Sequence, residues 1–131
     1  MLALARQGRT VFLRHPWLLD TAETLRPIGP SAADYLEHAL VVLAEADADT
    51  RTKLEAIGVL NALVAALTRA EIASENRTAQ DTSFLTRIAE EGRHPHLTDA
   101  FASMTAAPET PAAVFDRVVS RVLTGLIEIR S

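Results

Sequence analysis

The sequence predicts an all-α fold, and its composition carries that prediction. Hydrophobic residues make up 48% of the chain, but only 5% of the residues are aromatic and alternating runs of β-branched residues are missing. Alanine, leucine, arginine and glutamate, which favour helices, recur throughout. A chain of 131 residues is long enough to form one domain that hides about two thirds of its unfolded surface.

The first helix is predicted over about Leu2 to Arg14, where apolar residues fall on one side. His15-Pro16 ends it, because the residue before a proline avoids the helical conformation. A short helix is then expected from Trp17 to Thr24, followed by turn residues and a helix that begins near Ser31. The apolar stripe of that helix consists of Leu36, Ala39, Leu40 and Leu43.

The longest helix is predicted over about Thr50 to Glu75. Asp47 and Asp49 precede it, and their carboxylates suit the positive end of a helix. Its residues form two opposite faces, so we expect it to pack against two partners. One face carries Leu60, Leu63 and Leu67. The opposite face, which is small in its middle, carries Leu54, Ile57, Gly58, Asn61, Ala65, Thr68 and Ile72.

The rest of the chain is predicted to contain a polar loop over 76–82 and three further helices. One follows Ser83 and ends at Gly92, and another begins after His94-Pro95. Thr110 is expected to cap a last helix that begins with Pro111. The stripe of this helix, which runs to about Ile129, consists of Phe115, Val118, Val119, Val122, Leu126 and Ile129.

Several classes of chemistry are excluded by composition. The chain has no cysteine, which removes disulfides, thiolate zinc sites, iron-sulfur clusters and cysteine nucleophiles. Its net charge of -4 opposes binding to nucleic acid, so the chain alone should bind DNA poorly. Arg6, Arg9 and Arg14 form a basic cluster, which we expect to be a solvated face rather than a DNA contact.

Neither a metal nor a catalytic centre is predicted. His15, His94 and His96 lack the spacing of a ligand set and are expected to be solvated or to cap helices, and no cofactor is expected. No nucleophile elbow, phosphate loop or triad pattern is present, so the protein is not expected to be an enzyme. Apolar runs such as 62–67 stop short of the roughly 20 residues of a membrane span, and a cytoplasmic protein is expected.

Three short motifs indicate a family. The run RHPWLL at 14–19, the turn PIGP at 27–30 and the segment LEHAL at 36–40 resemble the C-terminal domain of TetR-family transcriptional regulators. The closing helix is similar to that family's pattern F-E-x-G-L-D-R-L-L-D-G-L. The matching positions are Phe115, Arg121, Leu123, Gly125 and Leu126, whereas Val118, Ser120 and Thr124 replace the usual glycine and two aspartates.

The resemblance implies a bundle of about six to seven helices that encloses a small-molecule pocket. It also implies a homodimer in which the longest and last helices of two protomers pair. The implied function is effector sensing and dimerisation in a transcriptional regulator, most simply a repressor. In this family an N-terminal helix-turn-helix reads the operator. We expect that domain to be absent from this chain, which forms a single regulatory domain over 1–131 and contacts DNA only through the missing part.

The ligand is expected to be small and hydrophobic or aromatic, because aromatic side chains provide rigid pocket walls beside the leucine face. Two alternatives stay open: Trp17 fills a junction between helices while His15 caps the first helix, and the aromatics together fill an ordinary close-packed core. The candidate ligand-binding residues are Phe12, Trp17, Tyr35, Leu60, Leu63, Leu67 and Phe84.

The dimer interface is expected on the small face of the longest helix and on the last helix. Asn61 and Thr68 suit a symmetric interface, where an amide can pair with its mate, although they could also reach into a ligand pocket. An alternative function is a stand-alone interaction protein that heterodimerises with full-length regulators and blocks their DNA binding. The candidate interface residues are Gly58, Asn61, Ala65, Thr68, Val118, Val122 and Leu126.

Overall fold

The computed structural model describes residues 1–20, 30–75 and 78–127, together with the side chains of 1–20, 33–75 and 83–127. Within these residues it contains helices and no strand, which confirms the all-α prediction. Residues 18–20 are also helical. The six helices with defined bounds are α1 (Leu2–Arg14), α2 (Pro30–Val42), α3 (Thr50–Glu75), α4 (Thr78–Glu91), α5 (Pro95–Ala106) and α6 (Pro111–Leu126).

The helix ends lie where capping chemistry places them. The Thr52 amide donates to Asp49 Oδ1 at 2.8 Å at the start of α3, and this hydrogen bond lowers the pKa of Asp49. At the start of α6, Thr110 Oγ1 accepts from the Ala113 amide at 3.2 Å. Gly92, with φ of +66°, follows the end of α4 in the left-handed conformation that glycine adopts without strain.

Two boundaries differ from the prediction. The expected loop over 76–82 is wrong for 78–82, which belong to α4, because this polar stretch contains neither glycine nor proline to stop a helix. The helix expected near Ser31 begins one residue earlier, at Pro30. Most of the short helix expected over Trp17–Thr24, and Ile129 at the chain's end, lie outside the described residues.

The core consists of two apolar clusters, and α1 and α3 contribute to both. The first cluster joins Leu4, Ala39, Leu43, Ala56, Ile57 and Ile127. The second, which we call the α1–α3–α6 cluster, joins Ala5, Leu60, Val64, Phe115 and Val119. Full burial of one large aliphatic or aromatic side chain stabilises a fold by about 1.5–3 kcal/mol. The helices α1, α3 and α6 therefore form the body of the domain.

The buried side of α3 is rotated from the predicted one. Residues spaced four apart, namely Ala56, Leu60, Val64 and Thr68, lie together in the protomer interior, as expected when i±4 ridges pack between neighbouring helices. Thr68 is fully buried, and its hydroxyl donates to the Val64 carbonyl at 2.7 Å. The exposed side of α3 instead carries small apolar residues, namely Gly58, Val59, Ala62 and Ala66.

By length and composition, α3 could also cross a membrane, although the sequence analysis expected no such segment. The core helix of a soluble protein meets the same criterion. α3 contributes residues to both apolar clusters of the fold, and 33% of its most apolar stretch is buried inside the protomer.

The hairpin formed by α4 and α5 differs from the body. These two helices pack on each other, and Ile88 of α4 is buried. However, α5 has no buried residue. Phe84 and Met104 lie 58% and 69% exposed, respectively. The apolar stripes that predicted these helices therefore remain largely accessible to solvent.

Candidate functional site

The α1–α3–α6 cluster brings four of the seven predicted ligand-binding residues together. Leu60 is part of the cluster, whereas Phe12, Leu63 and Leu67 are partly buried and pack against it. These three side chains lie on the rim, where they combine apolar contact with partial access to solvent. The cluster therefore has an apolar rim that is partly open to solvent.

Two further predicted ligand-binding residues, Trp17 and Phe84, lie apart from this cluster and are exposed. Trp17 is 63% exposed, and its ring makes an edge contact with His15, with centroids 6.1 Å apart. His15 is the C-cap residue of α1, as the alternative expected, and its backbone N–H donates to the Val11 carbonyl at 2.9 Å. Phe84 lies on the exposed side of the α4–α5 hairpin. Neither aromatic belongs to the α1–α3–α6 cluster or its rim.

Tyr35 and Asn61, which the sequence analysis assigned to two different sites, are joined by a hydrogen bond. The Tyr35 hydroxyl donates to Asn61 Oδ1 at 2.6 Å and links α2 to α3. The Tyr35 ring is half-buried against the first apolar cluster, and this burial raises the pKa of its hydroxyl. The two residues therefore act as one polar unit beside the first cluster.

Two of the three arginines on the basic side of α1, Arg6 and Arg14, are exposed as predicted, whereas Arg9 is partly buried. Arg6 donates from Nε and Nη2 to the two carboxylate oxygens of Asp116 at 2.9 and 2.7 Å. Arg9 donates in the same two-pronged way to Glu71 at 3.0 and 2.7 Å. Both arginines are thus occupied by carboxylates of α6 and α3, which gives them a structural role in place of a DNA contact.

These ion pairs involve two residues that sequence reasoning missed, Asp116 and Glu71. Asp116 and Glu71 are paired with α1, and the Arg6 hydrogen bond holds the pKa of Asp116 below its usual range. The Arg9 guanidinium carbon lies 5.7 Å from the centroid of the Phe115 ring. Phe115 could have been selected from its position in the α6 stripe, but no sequence pattern pairs Arg9 with Glu71, which lies 62 positions away.

The predicted interface residues divide into two groups. Gly58 and Asn61 are exposed, and Val118, Val122 and Leu126 are half-buried, so all five remain available to a partner. Ala65 and Thr68, in contrast, are buried within the protomer. The physical reason is the rotated buried side of α3, which turns both residues toward the interior.

In the part of the chain that the structure describes, no three histidine, aspartate or glutamate residues are close enough together to hold a metal ion. His94 and His96 are exposed around the start of α5.

Within the described residues, the protomer is an all-α domain whose central helix is shared by two apolar clusters. The family is shown by a family model described as the C-terminal domain of tetracyclin repressor-like proteins, which matches residues 1–130. The chain belongs to this family of C-terminal domains of TetR-family regulators, which is a family of regulatory domains and not of enzymes. Such regulators are soluble, and their domains commonly dimerise and bind small ligands. A search of curated proteins finds no match to this chain.

Proposed function

We propose that the chain is the effector-sensing and dimerisation domain of a TetR-like transcriptional repressor in the cytoplasm. Its effector is a small hydrophobic or aromatic molecule. The observation that carries this proposal is the α1–α3–α6 cluster with its half-buried rim. DNA recognition then belongs to a helix-turn-helix outside the 131 residues, and the regulatory core spans 1–131 as one domain.

The chemistry of the rim supports an apolar effector. Phe12, Leu63 and Leu67 surround the cluster with hydrocarbon and aromatic surface. The Arg9 guanidinium carbon lies 5.7 Å from the Phe115 ring centroid, and this guanidinium is already paired with the Glu71 carboxylate. A ligand that displaced rim contacts would therefore gain apolar burial, about 25 cal/mol for each Å² removed from water.

The exposed side of α3 supports homodimerisation. Within the most apolar stretch of α3, only 33% is buried inside the protomer. Gly58, Val59, Ala62 and Ala66 remain open on this side, and α6 packs alongside with Val118 and Val122 half-buried. Small residues let a second helix approach closely, so two copies of α3 and α6 would form a four-helix interface about a two-fold axis.

Regulation would follow from unequal affinity for two arrangements of the core. An effector shifts a conformational equilibrium only by the difference between its affinities for the two states. The cluster joins three helices, so a ligand that enlarges it would change their spacing. That change would be passed to the DNA-binding parts of a dimer.

A thermal-shift assay with a panel of hydrophobic and aromatic compounds tests the proposed function. We expect at least one compound to raise the melting temperature of the parent, because a ligand that binds only the native state stabilises it. Leu63→Asn should abolish that shift. The matched control, Leu97→Asn, changes a leucine on the hairpin and should keep it. Equal loss of the shift in both variants, or no shift with any compound, would contradict the assignment of the cluster as the effector site.

A further inference from the structure

The Arg9–Glu71 pair occupies an unusual position for two charged groups. The two side chains are only 19% and 12% exposed, and the guanidinium lies over Phe115 of the α1–α3–α6 cluster. A pair of charges therefore closes the junction of α1, α3 and α6, where an apolar contact would be the ordinary solution. This placement makes the pair the boundary between the cluster and solvent on the α1 side.

The two halves of α1 are fixed by different means. The buried residues of α1, Leu4 and Ala5, both lie in its first half. In the second half, Val11 is exposed and Phe12 is half-buried. Gly8 touches α3 so closely that an added Cβ would lie 3.3 Å from Val64 Cγ1. The second half is therefore held by Arg9, by close approach at Gly8 and by partial packing of Phe12 on the cluster, whereas two fully buried residues anchor the first half.

The second arginine pair strengthens the anchor of the first half. Arg6 and Asp116 are 55% and 37% exposed, so water and salt screen this pair far more than the Arg9–Glu71 pair. The Arg6–Asp116 pair therefore adds to the apolar burial of Leu4 and Ala5, which also attaches the first half of α1 to the body. Release of Arg9 would consequently swing the second half of α1 outward about a fixed first half.

We propose that the Arg9–Glu71 pair is the latch of an opening through which a small apolar molecule reaches the α1–α3–α6 cluster. The ligand class rests on the proposed function, whereas the opening itself does not. A paired and partly desolvated charge holds the closed state, but both ions regain full hydration once they separate. An apolar contact in the same place would instead expose hydrocarbon to water on opening, with no gain in hydration of charged groups to offset that cost.

Hydrogen exchange of α1 tests the latch without any ligand. In Glu71→Gln, Arg9 is left partly buried without a carboxylate, so exchange over residues 8–14 should accelerate by about tenfold or more. The matched control is Glu109→Gln, which removes the carboxylate of the two-pronged pair with Arg117 at the start of α6. Its α1 should exchange at the parental rate. Parental exchange of 8–14 in Glu71→Gln would overturn the proposal.

Entry is measured by stopped-flow association of N-phenyl-1-naphthylamine, a neutral aromatic fluorophore. The association rate should rise by about tenfold in Glu71→Gln, as the population of the open state rises. In Arg9→Met/Glu71→Met, which leaves no unpaired charge and puts an apolar contact in place of the pair, both exchange and association should be no faster than in the parent. A double variant as open as Glu71→Gln would overturn the latch.

If Glu71→Gln fails to fold, the conservative variant Arg9→Lys provides the same test of the latch. Arg9→Lys retains the charge but loses the two-pronged geometry, so its exchange and association rates should lie between those of the parent and a released form. Rates equal to the parent's would contradict the proposal.

The outcomes also separate this inference from the proposed function. Faster exchange of 8–14 with unchanged fluorophore association would reject entry at the latch and leave the effector site standing. Failure of the fluorophore to bind Glu71→Gln, despite an open α1, would reject the entry proposal as well. Loss of the thermal shift with every compound would instead reject the effector function, while the exchange result would still decide whether the latch exists.

Discussion

The body of the domain and the α4–α5 hairpin are both built from amphipathic helices, but the apolar side chains are buried in the body and largely exposed in the hairpin. In the body, small residues such as Ala5 and Ala56 let helices approach, and Phe115 and Val119 are buried between them. In the hairpin, Phe84 and Met104 stay mostly exposed. An apolar stripe therefore predicts a helix, whereas burial depends on whether a neighbouring helix presents small residues opposite the stripe.

The largest expected effect comes from the same substitution made in each region. Phe115→Ala should destabilise the protein by about 3–5 kcal/mol, because a buried ring is lost and a cavity is left. Phe84→Ala should cost less than about 1 kcal/mol, since most of that ring already contacts water. Urea denaturation of both variants provides the comparison. Equal losses would show that the hairpin is as tightly packed as the body.

A second expected effect concerns the exposed side of α3. A Cβ at Gly58 would meet nothing within 4 Å inside the protomer, so Gly58→Leu should leave the fold intact and obstruct a second copy. We expect the dissociation constant of the dimer to rise by at least about tenfold, which corresponds to 1.4 kcal/mol of weaker association. The matched control is Ala102→Leu on the exposed side of α5. Sedimentation showing equal dimerisation of both variants would remove the interface from α3.

A smaller effect is expected at the polar contact between α2 and α3. Tyr35→Phe removes the hydrogen bond to Asn61 Oδ1 and should lower the free energy of unfolding by about 0.5–1.5 kcal/mol. Asn61→Ala should give a similar loss, and the double variant should lose less than the sum of the two. Additive losses in denaturation would show that Tyr35 and Asn61 do not act as a unit.

The smallest expected effect is the pH dependence at Asp116. Its pKa is lowered in the folded protein, mainly by the hydrogen bond from Arg6. The stabilisation is therefore present above the unfolded value of about 3.9 and is lost as pH falls through the lower folded value. The stability difference between the parent and Asp116→Asn should shrink over this acidic range. The same comparison in an Arg6→Met background should show no such change.

The elements could be predicted because their signals are local. Asp49, Thr110 and Gly92 each control a helix end through the nearest few residues. Side-chain burial could not be predicted to the same degree. The 100° periodicity of α3 gave its two faces but not which residues faced inward, because that depends on how α1 and α6 pack. The Arg9–Glu71 and Arg6–Asp116 pairs were missed for the same reason, since each joins residues distant in sequence.

The most direct measurement is a methyl NMR titration with a compound that raises the melting temperature. Leucine methyl groups report separately on the rim of the α1–α3–α6 cluster and on the hairpin. We expect the Leu63 and Leu67 signals to shift saturably while those of Leu97 stay unchanged, because the first two lie on the cluster and the third lies on α5. Saturable shifts at Leu97, with unchanged Leu63 and Leu67, would contradict the assignment of the cluster as the effector site.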